Sequence, residues 1–131
     1  IFVTEPEARL FELAQARGVG LLCRMPLARG VLTGKFRPGE EVPPGHRMLL
    51  DGERMIENIA KAEQLRPVAA AHEGGMTRLA LQFSLSPAAI SAIIPGARTI
   101  EQLEENVTAS NGVGLAPEIL QAIEHVRAGW A

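Results

Sequence analysis

Two short apolar runs constrain this chain most: Val19-Gly20-Leu21-Leu22-Cys23 and Ala89-Ile90-Ser91-Ala92-Ile93-Ile94. Each is too short for an ordinary helix, and neither alternates apolar with polar as a strand with one wet face does. Runs of this kind suit strands buried on both faces, as in parallel sheets. Around them the period changes to that of helices. Leu10, Phe11, Leu13 and Ala14 form an apolar stripe that runs to Arg17, with Gly18 as its stop and Thr4/Glu7 as a capping box at its start. Asp51 is expected to cap a helix over 52–65, with Met55, Ile59, Ala62 and either Leu65 or Ala69 inward and Pro67 marking a kink or a new turn. Thr77 opens a short helix through Leu85, and Pro117 starts a last one to about Ala128. With Ile1-Phe2-Val3 read as the tail of a strand, the order is β-α-β-loop-α-α-β-α-α. Alternation of this kind means an α/β architecture with parallel pairing. So few strands cannot cover both faces and both edges, so the sheet reads as part of a larger one.

Where the second run ends, chemistry begins. Pro95 stops the strand and Gly96 lets the backbone approach something closely. Thr99 is an N-cap and Gln102, three residues on, completes a capping box. A helix N-terminus fed by a strand favours anions, and Arg98 places a permanent charge with a phosphate-shaped fork beside it. Gln102, Glu105 and Asn106 share a helix face, which offers an amide, a carboxylate and a second amide to a purine edge. The competing reading is a solvated helix surface after an ordinary capped turn. A long loop over 26–44 is rich in Gly and Pro and carries Arg29, Lys35 and Arg37; loops of that length usually have a role.

Composition excludes several classes. The net charge of −2 argues against nucleic acid or an acidic membrane as the main partner. A single cysteine, Cys23, rules out an internal disulfide and any multi-cysteine metal site, and its apolar run predicts a buried structural thiol. His46, His72 and His125 have no ligand spacing and read as surface residues. No segment approaches the ~20 apolar residues of a spanning helix. No signal peptide is visible, so a cytoplasmic location is expected.

Two segments carry a resemblance. Arg24 to Phe36 (RMPLARGVLTGKF) is similar to the SPLxxGxLTGKY stretch of aldo-keto reductases, and Ile94 to Asn106 (IPGARTIEQLEEN) is similar to their IPGAxxxxQLxEN stretch. Arg78 to Phe83 also resembles the segment before that family's last strand. The resemblance implies a (β/α) barrel of eight strands, with this chain as its C-terminal part: the end of strand six, then strands seven and eight with their helices, in one partial domain over 1–131. It implies carbonyl reduction by hydride transfer from NADP(H). Pro26, Leu27, Ala28 and Arg29 would lie along the pyrophosphate, with Lys35 supplying charge. Gly96, Arg98, Gln102, Glu105 and Asn106 would hold the 2′-phosphate and adenine, and Arg47 would be a candidate second phosphate contact. A carbonyl substrate and the N-terminal half of the barrel are the implied partners.

The chain departs from the family in three respects, one of them at Gln102, where some members carry a basic residue for the 2′-phosphate, a burden that would here fall on Arg98. Met25 stands where many members have serine, which removes a hydroxyl contact to phosphate that a backbone N–H could replace. The family's catalytic set is Tyr, Lys, Asp and His, and this chain has no tyrosine. The proton donor is therefore not here, and without one hydride transfer is slow. Two other readings stand beside the enzyme: a non-catalytic NADP-binding barrel similar to potassium-channel β subunits, and a helical interaction domain without cofactor.

Overall fold

The computed structural model describes residues 1–3 and 6–130. The Thr4 half of the predicted first capping box lies outside them. A π-helical turn, Glu7–Phe11, leads into helix α1, Glu12–Ala16. Strand β1 follows at Leu21–Arg24. Two 3₁₀ segments, Ala28–Thr33 and Arg47–Asp51, occupy the region that reads as loop. Helices α2 (Glu53–Gln64), α3 (Arg66–Ala70) and α4 (Gly75–Leu85) lead to strand β2, Ile90–Ile94. Helices α5 (Ile100–Thr108) and α6 (Pro117–Ala128) complete the order.

The two strands pair in parallel, as their apolar runs predict. Leu21 faces Ile90, but Leu22 faces Ala92, so Ser91 is skipped. Gly20 makes room for that irregularity: a Cβ there would stand 2.9 Å from the Ser91 hydroxyl. At the other end Arg24 pairs with Ile94, so both strands finish on the same rung. The turns that leave them start side by side, and this positions the candidate site.

The apolar core lies among the helices. Leu32, Met48, Leu65, Leu79, Leu81 and Ile123 are fully buried in one cluster with Ile59, Ala62 and Ala69. Ile59 and Ala62 are therefore where the sequence places them, with Met55 packed at the edge, and Leu65 and Ala69, expected as alternatives, are both inward. Pro67 sits in the first turn of α3, where its missing N–H costs nothing. The long loop is anchored from this side: Arg66 donates through Nη1 and Nη2 to the Gly34 carbonyl at 3.3 Å, while the Glu63 carboxylate holds Arg66.

Other expectations do not hold. Ile1–Val3 forms no strand among the described residues; Ile1 and Phe2 pack on the core instead, with the Phe2 ring 5.7 Å from Trp130. The end of a further strand is therefore not seen here. Strand β1 is not buried on both faces: Leu22 is 66% exposed, and Cys23 is half-buried rather than enclosed. The stripe of the first helix buries Ala14 but leaves Leu10 and Leu13 exposed. One cause accounts for these differences: a two-stranded sheet offers no neighbour to cover these faces. Asp51 caps nothing; it ends a 3₁₀ segment and pairs with Arg29, and Gly52 stands at the N-cap of α2. Helix α4 starts two residues before Thr77, which is buried inside it. His72 is half-buried, not a surface residue. Among the described residues no helix is long and apolar enough to cross a membrane, and no cluster of His, Cys, Asp and Glu could hold a metal.

Candidate functional site

The site is built from the two turns that leave the C-terminal ends of the strands. After β1 the chain bends hard. Met25, Ala28 and Arg29 have φ of +58°, +47° and +55°, a region that costs a non-glycine residue about 1–2 kcal/mol. Pro26 and Leu27 are buried as the root of this turn, and the amides of Ala28 and Gly30 donate to the carbonyls of Met25 and Leu27 at 2.9 Å. Neither of these amides is therefore free to replace the serine contact. The Met25 side chain is exposed. Arg29, expected along a pyrophosphate, is turned onto Asp51 (Nε to Oδ1, 3.2 Å) and donates to the Arg47 carbonyl at 3.4 Å. That ion pair lacks hydrogen-bond alignment, since the buried Arg29 Nε has no hydrogen-bond acceptor.

The turn after β2 is open. Gly96, Arg98 and Thr99 are exposed, and no packed side chain walls them off. A Cβ on Gly96 would meet no protein atom within 4 Å, and its φ is not in the left-handed region, so neither turn strain nor packing calls for glycine there. Thr99 is the N-cap, as predicted, accepting from the Gln102 amide at 3.3 Å. The other half of the box is displaced by one residue: the Gln102 Oε1 accepts from the Arg98 amide at 2.8 Å. Glu101 adds an internal anion at this helix start. Hydrogen bonds from the Thr99 hydroxyl and then from its own amide hold its carboxyl below the usual range. Part of the anion-binding capacity of the helix N-terminus is thus used by the protein itself.

Asn106 does not present its amide outward with Gln102 and Glu105. It is buried, and its Nδ2 donates to the Gly96 carbonyl at 3.3 Å, which pins the turn. Gln102 and Glu105 remain exposed. Arg98 and Lys35 have no carboxylate partner among the described residues, and Lys35 Nζ lies 5.0 Å from the Phe36 ring centroid. Arg47 is exposed nearby on the second 3₁₀ segment.

His46 is the residue that sequence reasoning missed. It is half-buried rather than solvated, and its Nδ1 accepts from the Met48 amide at 3.2 Å to cap the second 3₁₀ segment. Its ring meets Phe36 edge-on at 5.1 Å. Burial, then the charges of Lys35 and Arg98, lower its pKa from 6.5. The fold thus favours neutral His46. That contribution to stability is full above pH 6.5 and is lost as pH falls through the lowered value. The only sequence signal was His46 beside Arg47 in a Pro-rich loop; its neighbours come from distant segments. Together the two turns present cations, an empty approach to Gly96 and exposed Gln102 and Glu105. Chemically, that can hold a phosphate and hydrogen-bond a heterocycle.

The match to the family model for aldo/keto reductases spans residues 2–128. This chain belongs to the aldo/keto reductase family. An L-glyceraldehyde 3-phosphate reductase of Escherichia coli is 32% identical to it over 130 residues, 92% of this chain and 37% of that protein. A probable voltage-gated potassium channel subunit beta of Oryza sativa is 31% identical over 128 residues, 92% of this chain and 39% of the other. The holo form of an aldo-keto reductase from Bacillus halodurans superposes with a TM-score of 0.68 at 29% identity, over 95% of this chain and 39% of its own. The chain thus spans less than two-fifths of these relatives. The α/β content and parallel pairing agree with the barrel fold of this aldo/keto reductase family.

Proposed function

We propose that this chain is the C-terminal, cofactor-binding part of an NADP(H)-dependent reductase that converts aldehydes or ketones to alcohols. It would work with an N-terminal half of the barrel that supplies the acid. The observation that carries this reading is the shared rung at Arg24 and Ile94, which starts two turns side by side, with no ion pair to Arg98 or Lys35 among the described residues. Ligands in parallel α/β sheets gather at that end of the strands. The residues present fit a phosphorylated dinucleotide. Arg98 offers a fork to the 2′-phosphate, Lys35 and Arg47 offer further charge, and Gly96 leaves its backbone open. Gln102 and Glu105 reach the adenine side, with Asn106 fixing the turn beneath. When bound, the nicotinamide supplies the hydride; the part of this chain is to hold and orient its carrier.

Gly96→Val tests the site with little disturbance of the fold, because a Cβ there meets no atom within 4 Å beyond its two chain neighbours. The variant is expected to keep its thermal midpoint and to lose at least about tenfold in NADPH affinity by fluorescence titration, a difference of about 1.4 kcal/mol. Unchanged affinity would mean that nothing approaches Gly96. A second expected result is that the 131 residues alone do not oxidise NADPH with an aldehyde, since no tyrosine is present to donate the proton. Measurable turnover would overturn the assignment of the acid to the other half.

The likeness to a potassium channel β subunit favours a second reading, an NADP-binding barrel with a regulatory or scaffold role. Carbonyl turnover by the full barrel that contains this chain decides between the two.

A further inference from the structure

We propose that His46 is a specificity residue for a doubly charged phosphate: it takes a proton from solvent as the phosphate binds between it, Lys35 and Arg98, and returns it on release. The inference rests on the nucleotide reading above and adds to it a third ligand with a variable charge.

The geometry comes first. The His46 ring leans on the turn after β1, with Cε1 3.6 Å and Nε2 3.9 Å from where a Gly30 Cβ would stand. Lys35 Cε is 3.8 Å from the same point, so both side chains converge over Gly30. Arg98 reaches His46 electrostatically from the other turn, and Arg47 follows it in the chain. Among the described residues no carboxylate acts on His46 to favour its charged form.

The hydrogen bonding sets the proton's place. Nδ1 accepts from the Met48 amide, so the neutral ring carries its proton on Nε2, and charging it means protonating Nδ1 and giving up that cap. Without a ligand, the two cations and the cap all hold the ring neutral. A phosphate monoester carries about −1.5 to −2 at pH 7. Set among Lys35 and Arg98, it reverses the local field, and the charged imidazole becomes the favoured form. A pyrophosphate brings only one charge per phosphorus, so each of its phosphates reverses that field less than a monoester does. The extra proton therefore accompanies the 2′-phosphate, which distinguishes NADP from NAD.

Calorimetry of the full chain with NADP⁺ and with NAD⁺, at pH 7.5 in two buffers of different ionisation enthalpy, reads the proton directly. The expected result is proton uptake with NADP⁺, none with NAD⁺, and NADP⁺ affinity that rises as pH falls from 8 to 7. His46→Asn, which keeps a good capping acceptor, is expected to bind NADP⁺ with no uptake and a flat pH profile. NADP⁺ binding without uptake, equal uptake with NAD⁺, or uptake that survives in His46→Asn would each overturn the proposal and leave the cofactor site standing. Absence of binding by either dinucleotide would remove the site itself. The wild-type measurement needs no variant, so a misfolded His46→Asn does not rescue the idea.

Discussion

Arg98→Ala is expected to weaken NADPH binding by about tenfold to a hundredfold while changing NADH binding by no more than about twofold. A hydrogen bond to a charged group contributes about 1.5–3 kcal/mol, and every 1.4 kcal/mol is about tenfold in affinity. The full effect is available because no internal carboxylate competes for the guanidinium among the described residues. The fold should not suffer, since the residue is exposed and its backbone amide, not its side chain, makes the bond to Gln102. NADH is the internal control because it lacks only the phosphate in question. Titration of both cofactors against the variant separates the cases. Equal losses would mean that Arg98 steers charge generally or contacts the pyrophosphate, and the 2′-phosphate would need another ligand, with Arg47 next in line.

The second large effect is on stability. Leu79→Ala is expected to destabilise the chain by about 2–5 kcal/mol, the cost of emptying a large buried aliphatic site. Leu79 is fully buried on α4, in the cluster shared with Leu65, Leu81 and Ile123. Domains of this size have only about 5–15 kcal/mol in total, so the urea midpoint should fall sharply. Leu103→Ala is the control: its side chain is 55% exposed on α5, and a surface change of this kind stays within about 0.5 kcal/mol. If the two variants shifted the midpoint equally, the stabilising core would not be the inter-helical cluster around α4.

The same contrast explains what the sequence could and could not reveal. The strands at Leu21 and Ile90 and the inward Ile59 and Ala62 follow from local period, and the parallel pairing from the alternation of strands and helices. Burial of Leu22, Leu10 and Leu13 does not, because a period reports which face prefers cover, not whether a neighbour is there to give it. At the site, Thr99 was legible because capping is a contact between residues three apart. The partners of Arg29, His46 and Asn106 were not. Asp51 lies 22 positions from Arg29, and Gly96 ten before Asn106; both pairs depend on how separate turns meet. Asn106 illustrates the limit well: spacing grouped it with Gln102 and Glu105, yet it lies inward, against a carbonyl that spacing cannot see.

The skipped residue near the start of the sheet has a consequence for how this scaffold tolerates change. Ser91 is absorbed between the rungs of Leu21 and Leu22, at the end of the ladder remote from the open turns. A slack link at that position lets chain length vary among descendants without transmitting the offset upward. An inserted residue just before Leu22 has somewhere to go, whereas one inserted between Leu22 and Arg24 would slide one turn past the other. Indels should therefore accumulate below the irregular rung and be purged above it.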